Sequence, residues 1–366
     1  MLVKVAVKGF RNFNNWFEFD FRSRKAYEFN SNVLRGDLIK HSMVYGKNGK
    51  GKSNLGLAIL DITCHLNDVN VLPSLSSNYL NADSESELAE FKYQFDFDGI
   101  EVVYEYGKSD FKTTVYEKLT IDSELVLQLD RRDSDIAKFG FIGAESLRND
   151  FSSRAISAVK FISSSALLAD NTVNSTFFKF IEFVAGMVFF RTLNRNKEFH
   201  GQVIDSKRLS QAIIEKGKVK DFEEFLNASG VECKLQINGP KYDEVIEFVF
   251  GSKNIEFSLV ASTGTMSLGV FYYWYLKLLS NEISFAFIDE FDAYYHFSLS
   301  KNIVRKLSEL QCQTVLTTHN ISLMSNELLR PDCYFLLDDV QKPFYSLVDK
   351  ELRKAHNLEK IYKGLS

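Results

Sequence analysis

Proline is scarce in this chain, four residues in 366, and no internal repeat or low-complexity tract breaks it up. That excludes a long proline-rich or glycine/serine-rich linker. Cysteine is equally sparse. Cys64, Cys233, Cys312 and Cys333 stand far apart and form no CxxC pair, which argues against a zinc site or a disulfide framework and suits a reducing cytosol. Long apolar runs are missing too. The best candidate, FFKFIEFVAGMVFF over 177–190, carries Lys179 and Glu182 and is shorter than the roughly 20 residues that span a bilayer. The opening MLVKVAVKGFRNF alternates like a strand and lacks the apolar core of a signal peptide. A cytoplasmic protein with no membrane partner is expected. The net charge of −4 gives no global pull toward nucleic acid, while leaving a local basic surface open.

What the chain has in abundance is phenylalanine, 33 residues, within a composition that is 45% hydrophobic and 25% charged. That is ample for a large aromatic core rich in strands. LVKVAVKGF and WFEFDF read as two strands, and HSMVY as a third that enters a glycine-rich corner. KSNLGLAILDITCHL follows with helical spacing of Leu55, Ile59, Ile62 and Leu66. Residues 67–87 read as a loop. In EFKYQFDFDGIEVVYEYG, Asp98-Gly99 lies between two alternating runs, a hairpin signal; YEKLTID and ELVLQLD extend the same antiparallel sheet. From about 150 the pattern turns helical, and STFFKFIEFVAGMVFF reads as one core helix. VKDFEEFLNASG is another, with Gly230 as its stop. ECKLQI, VIEFVFG, ISFAFIDE and QTVLTTH return as strands, with helices VFYYWYLKLL and SKNIVRKLSEL among them. This order predicts one α/β head with an antiparallel β patch, interrupted by a helical subdomain, rather than two independent domains. The expected divisions are 1–149, 150–235 and 236–366.

Four short motifs carry chemistry. Gly46, Gly51, Lys52 and Ser53 in GKNGKGKS match GxxxxGK[ST] without a gap. In such a loop backbone N–H groups cradle phosphates, the lysine neutralises the β- and γ-phosphates, and the hydroxyl binds Mg²⁺. ISFAFIDE is an apolar strand ending in Asp289 and Glu290, one carboxylate to help hold Mg²⁺ and the next to polarise an attacking water. TVLTTHN ends a second buried strand at Thr317, Thr318 and His319. A histidine beyond a strand's carboxyl end lies near the ligand crevice of an open α/β sheet, where it would sense a γ-phosphate. Ser262, Thr263, Gly264 and Thr265 precede a helix, as an N-cap or as a phosphate-receiving turn.

The order P-loop, STGT, DE, H resembles the ABC-type ATPase heads of the SMC, RecF and OLD branch. The chain looks most like the AAA-type ATPases of prokaryotic phage-defence and abortive-infection operons. GKNGKGKSN, ASTGT at the signature position, FAFIDEFDAYYH as Walker B with its D-loop, and LTTHN as the switch histidine carry the likeness. VKGFRNF, LRPDCYFLL and RKAHNLEKIYKG extend it over nearly the whole chain. The resemblance implies ATP held between two heads of a homodimer or higher homo-oligomer, with Mg²⁺ on Ser53 and Asp289. Gly46, Asn48, Gly49, Gly51, Lys52, Ser53 and Asn54 would bind nucleotide in cis, and Ser262, Gly264 and Thr265 in trans. Glu290 would be the catalytic carboxylate and His319 the γ-phosphate sensor. The signature reads STGT where transporters have SGGQ, and no Q-loop glutamine stands out, since Gln94 and Gln128 both lie in strand-like runs. No heptad tract supplies an SMC-type arm. The residues after His319 are too few for the TOPRIM nuclease domain of OLD proteins.

The function so implied is an ATP-hydrolysing sensor or scaffold of an anti-phage system, controlling a separate effector such as a nuclease or toxin. The alternatives are a DNA repair or maintenance ATPase, and a nucleotide-dependent scaffold that does not hydrolyse. Nucleic-acid contact enters through residues 191–220. There Arg191, Arg195, Lys197, Lys207, Arg208, Lys216, Lys218 and Lys220 face only Glu198, Asp205 and Glu215, which reads as either a phosphate-tracking surface or a solvated face.

Overall fold

The computed structural model describes residues 1–67, 76–191, 199–201, 209–280, 282–338, 340–349 and 351–365, with side chains left out of account at 199–201. Two sheets organise them. In chain order the first half of the chain runs β1 (Leu2–Lys8), β2 (Phe17–Asp20), the short pair β3 (Leu34–Arg35) and β4 (Leu38–Ile39), β5 (His41–Tyr45) and helix α1 (Lys52–Leu66). Strands β6 (Ala89–Phe97), β7 (Ile100–Lys108), β8 (Thr114–Ile121), β9 (Glu124–Asp130) and β10 (Ser134–Phe139) follow. Helices α2 (Ala158–Ser165) and α3 (Thr172–Ala185) lead into β11 (Met187–Arg191) and β12 (Phe199–Gly201). Next come α4 (Leu209–Glu215), α5 (Val219–Ala228), β13 (Leu235–Asn238), β14 (Val245–Phe250), β15 (Lys253–Glu256), α6 (Phe257–Val260) and α7 (Thr263–Leu279). The chain closes with β16 (Phe285–Asp289), α8 (Phe297–Ser308), β17 (Gln313–Thr317), β18 (Tyr334–Leu337), β19 (Gln341–Pro343) and α9 (Leu358–Lys363).

The antiparallel sheet has the order β10-β9-β8-β7-β6-β1-β2. Its β6–β7 hairpin turns at Asp98 (φ 59°) and Gly99 (φ 88°), the doubly left-handed turn that matches strand twist. The second sheet has the order β12-β11-β16-β17-β5-β18-β19. β11, β16, β17, β5 and β18 run parallel, and the two edge strands are antiparallel. β5, β16 and β17 are buried at every position, as parallel strands covered on both faces must be. The fold is an α/β P-loop head with an antiparallel sheet. β13, β14 and β15 form a separate small meander.

One element differs from expectation. The apolar segment over 177–190 is not a single helix. α3 stops at Ala185, and Met187–Arg191 becomes β11, in register with Phe285–Asp289 of β16. The cause lies at Gly186. Its carbonyl accepts the Ser284 N–H at 3.0 Å, and a Cβ there would lie 3.0 Å from that same nitrogen. A side chain at 186 would crowd Ser284 and the Glu282 carbonyl, and the β-prone Val-Phe-Phe that follows pairs within the buried sheet. A segment of the expected helical block therefore supplies a strand next to β16.

Buried polar contacts tie helix α1 to the antiparallel sheet. Asp61 accepts the Lys108 ammonium at 3.0 Å, the Tyr106 hydroxyl at 2.7 Å and the Tyr79 hydroxyl at 2.9 Å. One turn on, His65 meets the Tyr104 hydroxyl at 2.8 Å. Tyr104 donates to Glu117, which also receives the Ser157 hydroxyl and the Ala158 N–H. Burial holds the His65 imidazole below its ordinary pKa. The helix that opens at the P-loop is thereby clamped in rotation against β7 and β8.

Candidate nucleotide site

The P-loop joins β5 to α1, and its shape needs glycine. Gly51 has φ 92° and an added Cβ would meet the Asn12 side-chain nitrogen at 2.3 Å. Asn12, from the loop after β1, also accepts from Asn54 at 2.7 Å, so the N-terminal loop is laced to the start of α1. Gly46 lies beside Leu337 at the end of β18, and Gly49 is left-handed at φ 79°. Lys50 reaches Asp338 at 2.5 Å. Asn48 is exposed at the loop's outer side. The Lys52 ammonium donates to the Gly46 carbonyl at 2.8 Å and the Lys47 carbonyl at 3.4 Å. Burial lowers its pKa, opposed by Asp289 and Glu290.

β16 and β17 lie side by side in parallel, and β17 also borders β5. This brings Asp289, Thr317 and the P-loop to one edge. Asp289 is fully buried. Its Oδ2 accepts the Ser53 hydroxyl at 2.6 Å and Arg191 Nε at 2.8 Å; its Oδ1 accepts the Thr317 hydroxyl at 2.6 Å. Thr317 Oγ1 in turn accepts the Glu290 N–H at 2.7 Å. Glu290 has φ 50°, a left-handed backbone that costs a non-glycine residue on the order of 1–3 kcal/mol and that clusters at functional sites. Burial and the adjacent Asp289 raise its carboxyl pKa. His319 lies two residues past β17, exposed at the crevice. Desolvation and the nearby Lys52 charge lower its pKa, so the imidazole is neutral at pH 7.

Ser262 to Thr265 form a separate corner. Ser262 caps α7, its hydroxyl accepting the Thr265 N–H at 3.1 Å and meeting the Thr265 hydroxyl at 2.9 Å. Ser262 itself is exposed, Gly264 half-buried and Thr265 buried. α7 is tied to the segment after Glu290, because Ser267 meets the Tyr295 hydroxyl at 2.9 Å. The capping function expected of this turn is present.

A hydroxyl and a carboxylate 2.6 Å apart are hard oxygen donors that fit Mg²⁺, which is bound through one or two carboxylates plus substrate phosphates. No trio of His, Cys, Asp or Glu suited to a metal occurs among the described residues, so the chain offers no all-protein metal cage there.

Sequence reasoning missed Arg191 as a partner of Asp289 and gave Thr317 no role. The signal for Arg191 was its place at the end of MVFFR, obscured while that run read as helix. On the side of β11, what stands over Asp289 is an arginine and not a glutamine. Gln94 lies within β6 and Gln128 within β9. The basic stretch is also less open than its composition suggests. Arg191 turns inward, Lys218 pairs with Asp221 at 2.6 Å, and Lys220 pairs with Glu223. Arg195, Lys197, Lys207 and Arg208 lie outside the described residues. No helix among the described residues is long and apolar enough to cross a membrane.

No curated protein matches the chain in sequence. Among solved structures it is similar to an SMC head bound to the C-winged helix domain of ScpA, at 15% identity over 93% of this chain and 96% of that one, TM-score 0.49. It is also similar to the SMC head domain from Thermotoga maritima, at 15% identity over 93% and 97%, TM-score 0.42. A third is the Smc head domain with an extended coiled coil bound to the C-terminal domain of ScpA, derived from Pyrococcus furiosus, at 14% identity over 93% and 95%, TM-score 0.44. The family model described as "AAA domain, putative AbiEii toxin, Type IV TA system" matches residues 42–325, well over half of the chain and all four motifs. The protein therefore belongs to this family of AAA-domain, nucleotide-binding ATPases.

Proposed function

We propose that this protein binds and hydrolyses ATP with Mg²⁺ at a composite site between two heads, and uses the cycle to control a separate effector in anti-phage defence. The observation that carries the hydrolytic part is the contact between Ser53 and Asp289, which joins the P-loop to the carboxylate that ends β16. Gly46, Asn48, Gly49 and Gly51 would present N–H groups to phosphates, with Asn54 and the dipole of α1 behind them. Lys52 would leave the Gly46 carbonyl for β- and γ-oxygens. Ser53 and Asp289 would hold Mg²⁺, which supplies charge neutralisation on the phosphates. Glu290 would take the proton of a water whose oxygen attacks the γ-phosphorus, as the bond to the β-phosphate oxygen breaks. Its raised pKa makes it a better base than an ordinary carboxylate. A neutral His319 would hydrogen-bond the γ-phosphate, and Ser262, Gly264 and Thr265 of a second subunit would close the site.

The defence role rests on the toxin–antitoxin description of the family and on the chemistry the chain carries. We assign effector contact to the region 150–235 and to the surface around the last forty residues. The test is to express the protein alone and with its operon neighbour, then measure growth, phage plating and co-purification. Co-purification in one nucleotide state, with protection needing both proteins, is expected. Protection by this chain alone would put the effector within it. Failure to co-purify in every nucleotide state would transfer weight to direct action on nucleic acid.

A further inference from the structure

We infer that Arg191 is a resident counter-ion of the metal carboxylate, and that it makes Mg²⁺ entry depend on nucleotide phosphate. The inference rests on Ser53 and Asp289 being the metal side of the site. β11 and β16 are parallel neighbours with Arg191 in register with Asp289, so the two side chains leave the same edge of the sheet together. Arg191 Nε donates to Asp289 Oδ2 at 2.8 Å, and the Ser53 hydroxyl donates to that same oxygen at 2.6 Å. Oδ1 is held by Thr317. A cation that uses Ser53 must therefore approach the corner that the guanidinium fills.

Two consequences follow from charge alone. Asp289 is fully buried, and a buried carboxylate needs a compensating partner. Arg191, 21% exposed along its side chain, supplies that partner. Mg²⁺ would then bring two positive charges up to a guanidinium, with the Lys52 ammonium also close. Free Mg²⁺ is repelled in full, whereas Mg²⁺ arriving with the polyanionic phosphates of ATP is opposed less, though it must still displace the guanidinium from Oδ2. Arg191 gives up its bond to Oδ2 only when the phosphates offer it and the metal enough negative charge. This makes Arg191 a positioning residue that acts through Asp289. It is not a surface group awaiting a nucleic-acid backbone.

The experiment measures affinity for a ribose-labelled fluorescent ATP, with Mg²⁺ and with excess EDTA, in the full chain and in Arg191→Ala and Arg191→Lys. The readout is the factor by which Mg²⁺ tightens binding, with melting temperature recorded for each protein in EDTA. Arg191→Ala should enlarge that factor by about fivefold or more, the lower range of site–site coupling. Arg191→Lys, which keeps the charge, should stay nearer to wild type. An unchanged factor in Arg191→Ala, whatever happens to the melting temperature, would overturn the inference and reduce Arg191 to a structural ion pair. A weaker binding of equal size with and without Mg²⁺ would overturn it too, by making Arg191 a direct phosphate ligand. Absence of any Mg²⁺ enhancement in the wild type is a different failure. It would remove the metal role of Ser53 and Asp289 and take this inference with it.

Discussion

The Ser53 hydroxyl donates to the Asp289 carboxylate at 2.6 Å across a sequence separation of 236 residues. The first residue stands in the opening turn of α1, just behind a glycine-dependent loop, the second at the end of a strand buried at every position. Their meeting depends on β17 lying between β5 and β16, in parallel with both. It is the junction on which nucleotide, metal and water would converge.

Lys52→Ala should weaken ATP binding by roughly two orders of magnitude, since a charge-assisted hydrogen bond to a phosphate is worth up to about 3 kcal/mol. The fold should survive. Among the described residues the Lys52 ammonium donates to the Gly46 and Lys47 carbonyls of the adjoining loop, so the melting temperature should shift by a few degrees at most. Titration with labelled ATP alongside a thermal melt checks both halves. Undiminished binding by the folded variant would remove the P-loop assignment.

Glu290→Gln should leave ATP binding intact and cut turnover by about 10²–10⁴-fold, the range for loss of a general base. The wild-type rate should fall on acidification at a pH above that of an ordinary carboxylate, because burial and Asp289 raise the Glu290 pKa. The same shift has a stability consequence of definite sign. A raised folded-state pKa means the stabilising contribution is present below the unfolded value and is lost as pH rises through the folded value. At pH 7 the ionised group is a cost. Glu290→Gln should therefore melt higher than wild type at neutral pH, with the gap closing toward about pH 4, near the unperturbed carboxyl value.

The P-loop, the strand ending in Asp289 and Glu290, and the Asp98-Gly99 hairpin were legible in the sequence because each is a local pattern. Period and turn chemistry suffice to place them. β11 was not legible, since Phe-Phe-Lys-Phe-Ile and Met-Val-Phe-Phe are both dominated by apolar residues and periodicity cannot divide a short buried helix from a buried strand. The division came from Gly186 meeting Ser284, a contact 98 positions away in sequence. Arg191 was misread for the same cause. Its composition placed it with the basic stretch, whereas its strand register turned it onto Asp289. The pairing of Asp61 with Lys108 depends on how α1 lies across β7, and no local pattern announces it.

Ser262 should act across a subunit boundary. It is exposed at the N-terminus of α7 together with Thr263, while Thr265 is buried, so the turn presents two small polar side chains outward. Ser262→Arg should abolish turnover in a uniform oligomer and leave the single-chain fold unchanged by circular dichroism. Mixing it with inactive Lys52→Ala should restore a fraction of wild-type activity, because one of the two composite sites then has both halves intact. No recovery, with subunit exchange verified by differently tagged chains, would count against a site shared between heads.

The last expectation concerns the clamp on α1. Asp61 and Lys108 are both buried and lie 3.0 Å apart, with the Tyr79 and Tyr106 hydroxyls closing on the same carboxylate. Removing one partner of a buried pair leaves an uncompensated charge and costs on the order of 3–5 kcal/mol. Lys108→Met should show that loss in denaturant unfolding. Asp61→Asn with Lys108→Met should recover part of it, because no lone charge remains. The consequence should also reach the nucleotide. α1 begins at Lys52, so loosening its rotation against β7 should weaken labelled-ATP binding in Lys108→Met even at temperatures where the protein stays folded. A single variant that loses stability but binds ATP as wild type does would show that the antiparallel sheet supports the fold without setting the P-loop.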